Sequence, residues 1–231
     1  MRRMALRARV DMDPAEFIRT HLPLTPVPGL AGVVLHLAAP TSGLRRLTDL
    51  TPYWAYIWAG GMVLARYVQD HPELVRGRRV LDLGAGSGLV GIVAAQAAAV
   101  VRATEIDPLG CVAMGLNAVA NGVDVQVLPG DVLADELPAI DLILVGDLFY
   151  HPALVTPVLR FLDRAMAQGI GVLIGDPGRA PLPLDRLDRI AVYDVPDFGQ
   201  SAPLPATVFR LIPGATPDPV AAPLHHPPAL R

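Results

Sequence analysis

The sequence contains no lysine: all nineteen of its basic residues are arginine. No lysine nucleophile or Schiff-base residue is therefore available to a catalytic mechanism. Together with the bias toward Ala, Pro, Gly and Arg, this reads as coding drift in a GC-rich bacterial genome rather than as a functional feature. Cysteine is almost as scarce. The lone Cys111 excludes an internal disulfide framework, and no Cys/His cluster has zinc-ligand spacing, so the expectation is a reducing compartment, the cytoplasm, and no metal. Charge is sparse too, with 18% charged against 52% hydrophobic residues and a net charge of −3. That balance offers no basic surface for nucleic acid or an anionic membrane. The longest apolar run, Leu89 to Val101, is broken by Gln96 and is shorter than the roughly 20 residues of a membrane span, so it reads as a buried helix. The arginine-rich start lacks the apolar core of a secretory signal and is expected to be disordered.

What remains, in 231 residues, is enough for one domain with a substantial core. From Val80 onward strand-like apolar runs alternate with helical patterns, the arrangement of a parallel sheet covered on both faces. The strands are "RVLDLG", "VVRATE", "VDVQVL", "DLILVGD" and "IGVLIGD". Between them, Asp107 and Pro108 are placed to cap and start one helix, and Asn121-Gly122 to stop it. After Asp176, "PGRAPLPLDRL" allows only a short helix, and "RIAVYDV" and "ATVFRL" read as an antiparallel pair at one sheet edge, giving seven strands. Upstream, "DPAEFIRTHL" is a capped short helix, "GVVLHLA" a strand, and "YWAYIWAGGMVLARYVQDH" one longer helix with Trp54 and Trp58 on a common face. The expected organisation is a segment 1–52, a core 53–212 and a proline-rich tail, 213–231, expected to be disordered.

Chemistry concentrates in "VLDLGAGSGLVG", Val80 to Gly91. A strand, a glycine turn and a helix together offer close backbone approach and free N–H groups. Gly86 to Gly91 matches G-x-G-x-x-G with Glu105 at a ribose-binding distance, so a nicotinamide dehydrogenase has to be weighed. Asp82 argues against it. The turn begins earlier, as Gly84, Gly86 and Gly88, and a carboxylate beside it would repel a pyrophosphate but suit an ammonium. S-adenosylmethionine carries an ammonium and a sulfonium, and no phosphate. Glu105 and Asp131 follow at the next two strand ends, placed for ribose hydroxyls and an adenine amino group.

At this point the sequence resembles a known family. "VLDLGAGSG", "ATEIDP", "GDV" and "DLILVGDLFY" are similar to the successive motifs of class I S-adenosylmethionine-dependent methyltransferases. The resemblance implies an α/β, Rossmann-like seven-strand sheet, mostly parallel with an antiparallel edge pair. Asp147-Leu-Phe-Tyr150 matches the [DE]-x-x-[FY] signature of a group of protein-lysine methyltransferases. "PYWAYIWAGG", "HPELVRGRRVLDLGAGSGLV" and "LIGDPGRAPLP" look closer still to enzymes that methylate the electron-transfer flavoprotein beta subunit. The resemblance further implies that Trp58 and Gly60 touch the cofactor's methionyl part.

Methyl transfer to lysine requires alignment, and loss of a proton from an ammonium with a reference pKa of about 10.4. Asp147, to bind and aim the cation, and Tyr150, to hold the alkyl amine, are the residues expected to carry this. A rival assignment makes Asp147 a cofactor ligand only, with Phe149 and Tyr150 packing. His151, before Pro152, reads as a helix start, and His36 and His71 as a strand and a turn residue. A small-molecule N-methyltransferase and a silent S-adenosylmethionine-binding module remain alternatives on the same fold. The edge pair and the N-terminal segment are expected to flank the entrance.

Overall fold

The computed structural model describes residues 12–48 and 50–214. The arginine-rich start and all but the first two residues of the proline tail lie outside the described residues. Asp13 accepts from the amides of Ala15 and Glu16 at 2.9 and 3.2 Å and so opens α1 (Pro14–His21), which buries Phe17 and Ile18. Strands β1 (Leu24–Pro26) and β2 (Val34–His36) then form a small antiparallel hairpin. The β2 strand was expected; β1, only three residues with a proline, carries too little pattern to be read.

The stretch expected as one long helix is broken. A 3₁₀ turn, Tyr53–Ala55, is followed by extended backbone at Tyr56 and Trp58 before α2 (Ala59–Asp70) begins. The break has a physical cause. The first two α2 amides are taken by distant carboxylates, Ala59 by Asp197 at 3.0 Å and Gly60 by Asp147, and the Trp58 indole donates to the Tyr53 carbonyl at 2.8 Å. Trp54 and Trp58 therefore do not share a helix face. Trp54 is buried with Phe17, Ile18 and Leu22 against α4 (Pro108–Ala120), whereas Trp58 is half-buried.

The main sheet has the order β5-β4-β3-β6-β7-β9-β8. Its members are β3 (Arg79–Asp82), β4 (Val100–Glu105), β5 (Val125–Pro129), β6 (Leu142–Gly146), β7 (Gly171–Asp176), β8 (Leu187–Val195) and β9 (Leu204–Leu211). The first five in chain order run parallel, and β9 is antiparallel to both β7 and β8, as expected of the edge pair. Side chains alternate across the sheet. Along β6, Leu142 and Leu144 enter the core under α2 and α3 (Leu89–Gln96), while Ile143 and Val145 enter the core under α5 (Pro152–Met166). Helix α3 is apolar all round and buried, as its run of hydrophobic residues implied; α5 buries one stripe, Val158, Phe161, Leu162 and Ala165. No helix of the described residues is long and apolar enough to cross a membrane.

This topology decides where a ligand goes. The order in which strands are added reverses between β3 and β6, and the crevice beyond the carboxyl ends at such a switch point is where open α/β sheets bind.

Candidate active site

The glycine turn between β3 and α3 is pinned to the end of β4. Gly84 donates to Thr104 Oγ1 at 3.1 Å, Ala85 to the Thr104 carbonyl at 2.8 Å, and Gly86 to Glu105 Oε2 at 2.9 Å. Gly84 has φ +69°, and a Cβ there would lie 2.8 Å from Leu148 Cδ1, so only glycine fits without displacing a neighbour. The turn forms the floor of a cleft of about 790 Å³ at the sheet's switch point.

Asp82, Glu105 and Asp131, the acids expected at three successive strand ends, all line this one cleft. Their states differ. Asp82 is 1% exposed and accepts from the Gly91 amide at 2.7 Å, and burial pushes its carboxyl up to about 7. Glu105 is half-buried between the amides of Gly86 and Asp107, and burial raises it as well. Asp131 is exposed and closes its own turn through the Leu133 amide at 3.0 Å. Of the remaining expected contacts, Gly84, Gly86 and Trp58 line the cleft, whereas Gly60 and Gly88 do not. Gly88 caps α3 at φ +82° against Met114, and Gly60 lies behind Asp147, where its amide donates to that carboxylate.

Asp147 follows β6 in the left-handed region, at φ +56°, which aims its side chain back over α2. Tyr150, three residues on, faces the cleft with its ring centroid 5.3 Å from Tyr53, and Tyr53 lies 5.7 Å from Trp58. These rings make an aromatic wall beside Asp147. Phe149, by contrast, is fully buried under α5 and is a packing residue. His151 is the N-cap of α5, accepting from the Ala153 amide at 3.2 Å, as the helix-start reading required.

Three site residues escaped the sequence reading. Arg179, after β7, donates from Nε to Asp147 Oδ1 at 2.6 Å and approaches Asp197 at 3.6 Å. Asp176 holds the Gly178 and Arg179 amides at 2.7 Å each, and burial raises it to about 6, its other oxygen having no hydrogen-bond partner among the described residues. For Asp176 and Arg179 the signal lay in "LIGDPGRAPLP", whose "PGRAPLPLDRL" part predicts only room for a short helix and not a cation returned to Asp147.

The two carboxyls raised furthest, Asp82 and Asp176, predict an unusual stability profile. Each binds its proton more tightly folded than unfolded, so their contribution is complete below the reference value of 3.8 and is lost as pH rises through about 6 and 7. Scanning calorimetry of the ligand-free chain is expected to show a Tm lower by roughly 5–10 °C at pH 8 than at pH 5, with a smaller drop in Asp82→Asn. An identical slope in that variant would exclude Asp82 as the cause.

The glycine turn lies beside acids, and Arg179 is the one cation on the cleft wall among the described residues. The donor set suits a ligand with ribose hydroxyls and positive charge, and is poor for a pyrophosphate. A family model described as lysine methyltransferase matches residues 52–179. The chain belongs to that family. Within it, the chain is 39% identical over 153 residues to the electron transfer flavoprotein beta subunit lysine methyltransferase of Danio rerio, covering 63% of this chain and 59% of that protein. It is 36% identical over 196 residues to the protein of the same name from Xenopus laevis, with 80% of each covered. The chain thus spans about three fifths of the length of the zebrafish relative. Among solved structures, the ribosomal protein L11 methylase of Lactobacillus delbrueckii subsp. bulgaricus aligns with a TM-score of 0.50 at 22% identity, covering 66% of this chain and 78% of that one. That likeness shows the shared methyltransferase fold.

Proposed function

We propose that this lysine methyltransferase family member is an S-adenosylmethionine-dependent N-methyltransferase acting on protein lysine, with the electron-transfer flavoprotein beta subunit as its acceptor. The observation that carries the reading is the placing, in one cleft, of an acid-lined glycine turn and an Asp147–Tyr150 pair beside an aromatic wall. The names of the zebrafish and frog relatives support the choice of acceptor. The unit that does this is the core 53–212, preceded by the segment 1–52, and the single Cys111 favours the bacterial cytoplasm.

The residues fit the cofactor. The open glycine turn admits it; Gly84 and Gly86 approach it, Glu105 stands for the ribose hydroxyls, Asp131 for the adenine amino group, and Asp82 and Trp58 for the methionyl end. When bound, S-adenosylmethionine supplies a methyl group on an electron-poor sulfonium. The chain supplies the rest. Asp147 binds the acceptor ammonium and fixes its direction, and Tyr150 holds the alkyl stem, excluding water from the amine. The ammonium must shed its proton before its lone pair can attack, and the carboxylate beside it is placed to receive that proton.

Two measurements test this. Calorimetry is expected to show saturable binding of S-adenosylhomocysteine and none of NADH. Labelled S-adenosylmethionine incubated with the chain and a lysate is expected to leave label on protein lysine. Label confined to the small-molecule pool would overturn the acceptor class, and cofactor binding with no transfer at all would leave a binding module.

A further inference from the structure

The cation already beside Asp147 belongs to the chain itself. Arg179 contacts Asp147 through Nε at 2.6 Å, lies 3.6 Å from Asp197 through Nη2, and has its guanidinium carbon 5.9 Å from the Trp58 ring centroid. Two carboxylates and an aromatic face are the arrangement that holds an alkylammonium. Here it holds a guanidinium.

The carboxylates do not depend on the arginine for their positions. Asp147 Oδ2 accepts from the Gly60 amide at 2.5 Å and Asp197 Oδ1 from the Ala59 amide at 3.0 Å, so the first turn of α2 orients both. Each is left with one oxygen directed toward the same cation. The acid side chains are 9% and 6% exposed, and that of Arg179 is 28% exposed. The acids are the floor and the arginine the solvent-side member. The loop from β8 to β9 that delivers Asp197 also places Phe198 5.5 Å from Trp58 and 3.8 Å from Tyr56, and Phe198 is 49% exposed. The loop lines a smaller pocket beside the cleft, and meets the cleft wall through Asp197 on Arg179 and Phe198 on Trp58.

We propose that Arg179 is a displaceable plug in the acceptor-ammonium seat, and that Asp197 is the second carboxylate of that seat. The inference rests on the lysine-acceptor reading. An incoming lysine takes over the Asp147 and Asp197 oxygens as the guanidinium swings outward, so that the seat stays charge-compensated with or without acceptor. The alternative is a clamp: an arginine that must stay for the carboxylates to be correctly placed. The two differ in sign, because removing a plug tightens ammonium binding and removing a clamp weakens it.

The test uses the full chain with S-adenosylhomocysteine bound, titrated with n-butylammonium chloride at constant ionic strength. Binding is read by NMR from the Trp58 indole N–H, with the buried Trp54 indole as internal reference. Arg179→Gln is expected to tighten binding about tenfold, the scale of one competing charge-assisted pair, while Arg179→Lys, which keeps a cation in place, shifts it by less than about threefold. Adding Asp197→Asn to Arg179→Gln is expected to reverse most of the gain. In the unmutated chain the Arg179 Nε–H resonance is expected to move in step with Trp58, a readout that needs no variant. Binding in Arg179→Gln no tighter than in the parent, or an Arg179 resonance that stays fixed while Trp58 shifts, overturns the plug. Failure of methyl transfer to lysine with tightening intact would remove the acceptor reading alone.

Discussion

Replacing Asp147 by Asn is expected to lower kcat by about 10³-fold while leaving S-adenosylhomocysteine affinity within about threefold. Asn is the informative variant. The left-handed backbone at φ +56° suits Asn, which enters that region at little cost, whereas Ala would add strain to the loss of the carboxylate. The Asn oxygen still accepts from Gly60, so the start of α2 keeps its partner. What disappears is the anion facing Arg179 and, in the proposed complex, the acceptor ammonium. One nearby donor is left poorly paired, a stability cost of about 1–3 kcal/mol that calorimetry would detect without abolishing folding. Single-turnover rates and cofactor titration on the same preparation separate the outcomes. Equal losses of rate and cofactor affinity would make Asp147 a ligand of the cofactor only.

The second large effect is structural. Gly60→Ala is expected to cost about 3–5 kcal/mol, lowering Tm by roughly 10 °C or more. A Cβ at Gly60 would collide with the Gly175 carbonyl oxygen and lie 2.7 Å from the Asp147 amide nitrogen. Facing it, a Cβ at Gly175 would collide with the Gly60 carbonyl, and one at Gly146 would lie 2.7 Å from the Gly61 Cα. Glycines from α2, β6 and β7 let the helix rest directly on the strand ends. That close approach is what brings the first α2 amides within reach of Asp147. Gly61→Ala is the internal control: nothing lies within 4 Å of its Cβ position, so the helix gains up to about 1 kcal/mol of propensity. Thermal unfolding of the pair checks the argument, and a Gly60→Ala chain melting within about 2 °C of the parent would contradict it.

These residues also show what a linear reading reaches. The seven strands, the caps at Asp13 and Asp107 and the helix stop at Asn121-Gly122 were legible because each rests on neighbours a few residues apart, through periodicity, capping or turn chemistry, and the acids Asp82, Glu105 and Asp131 because each follows or ends a legible strand. The broken start of α2 was not. "WAYIWAGG" looks helical by composition, and the carboxylates that hold the helix start come from Asp147 and Asp197, the second on the edge-strand loop. The same distance in sequence hid Arg179, whose partner is set by the parallel pairing of β6 with β7. Gly60 was expected at the cofactor, and its close approach to Gly175 follows from the contact of α2 with the sheet, which sequence spacing does not record. Trp58 was expected at the cofactor and does line the cleft, although from extended backbone and not from a helix face shared with Trp54.

The most direct measurement is transfer of labelled methyl from S-adenosylmethionine to purified electron-transfer flavoprotein, with site-resolved mass spectrometry of the product. The account predicts methyl-lysine on the beta subunit, present with the parent chain and lost with Asp147→Asn. Saturable cofactor binding with an unmodified beta subunit would contradict the proposed acceptor, and modification undiminished in Asp147→Asn would contradict the proposed site.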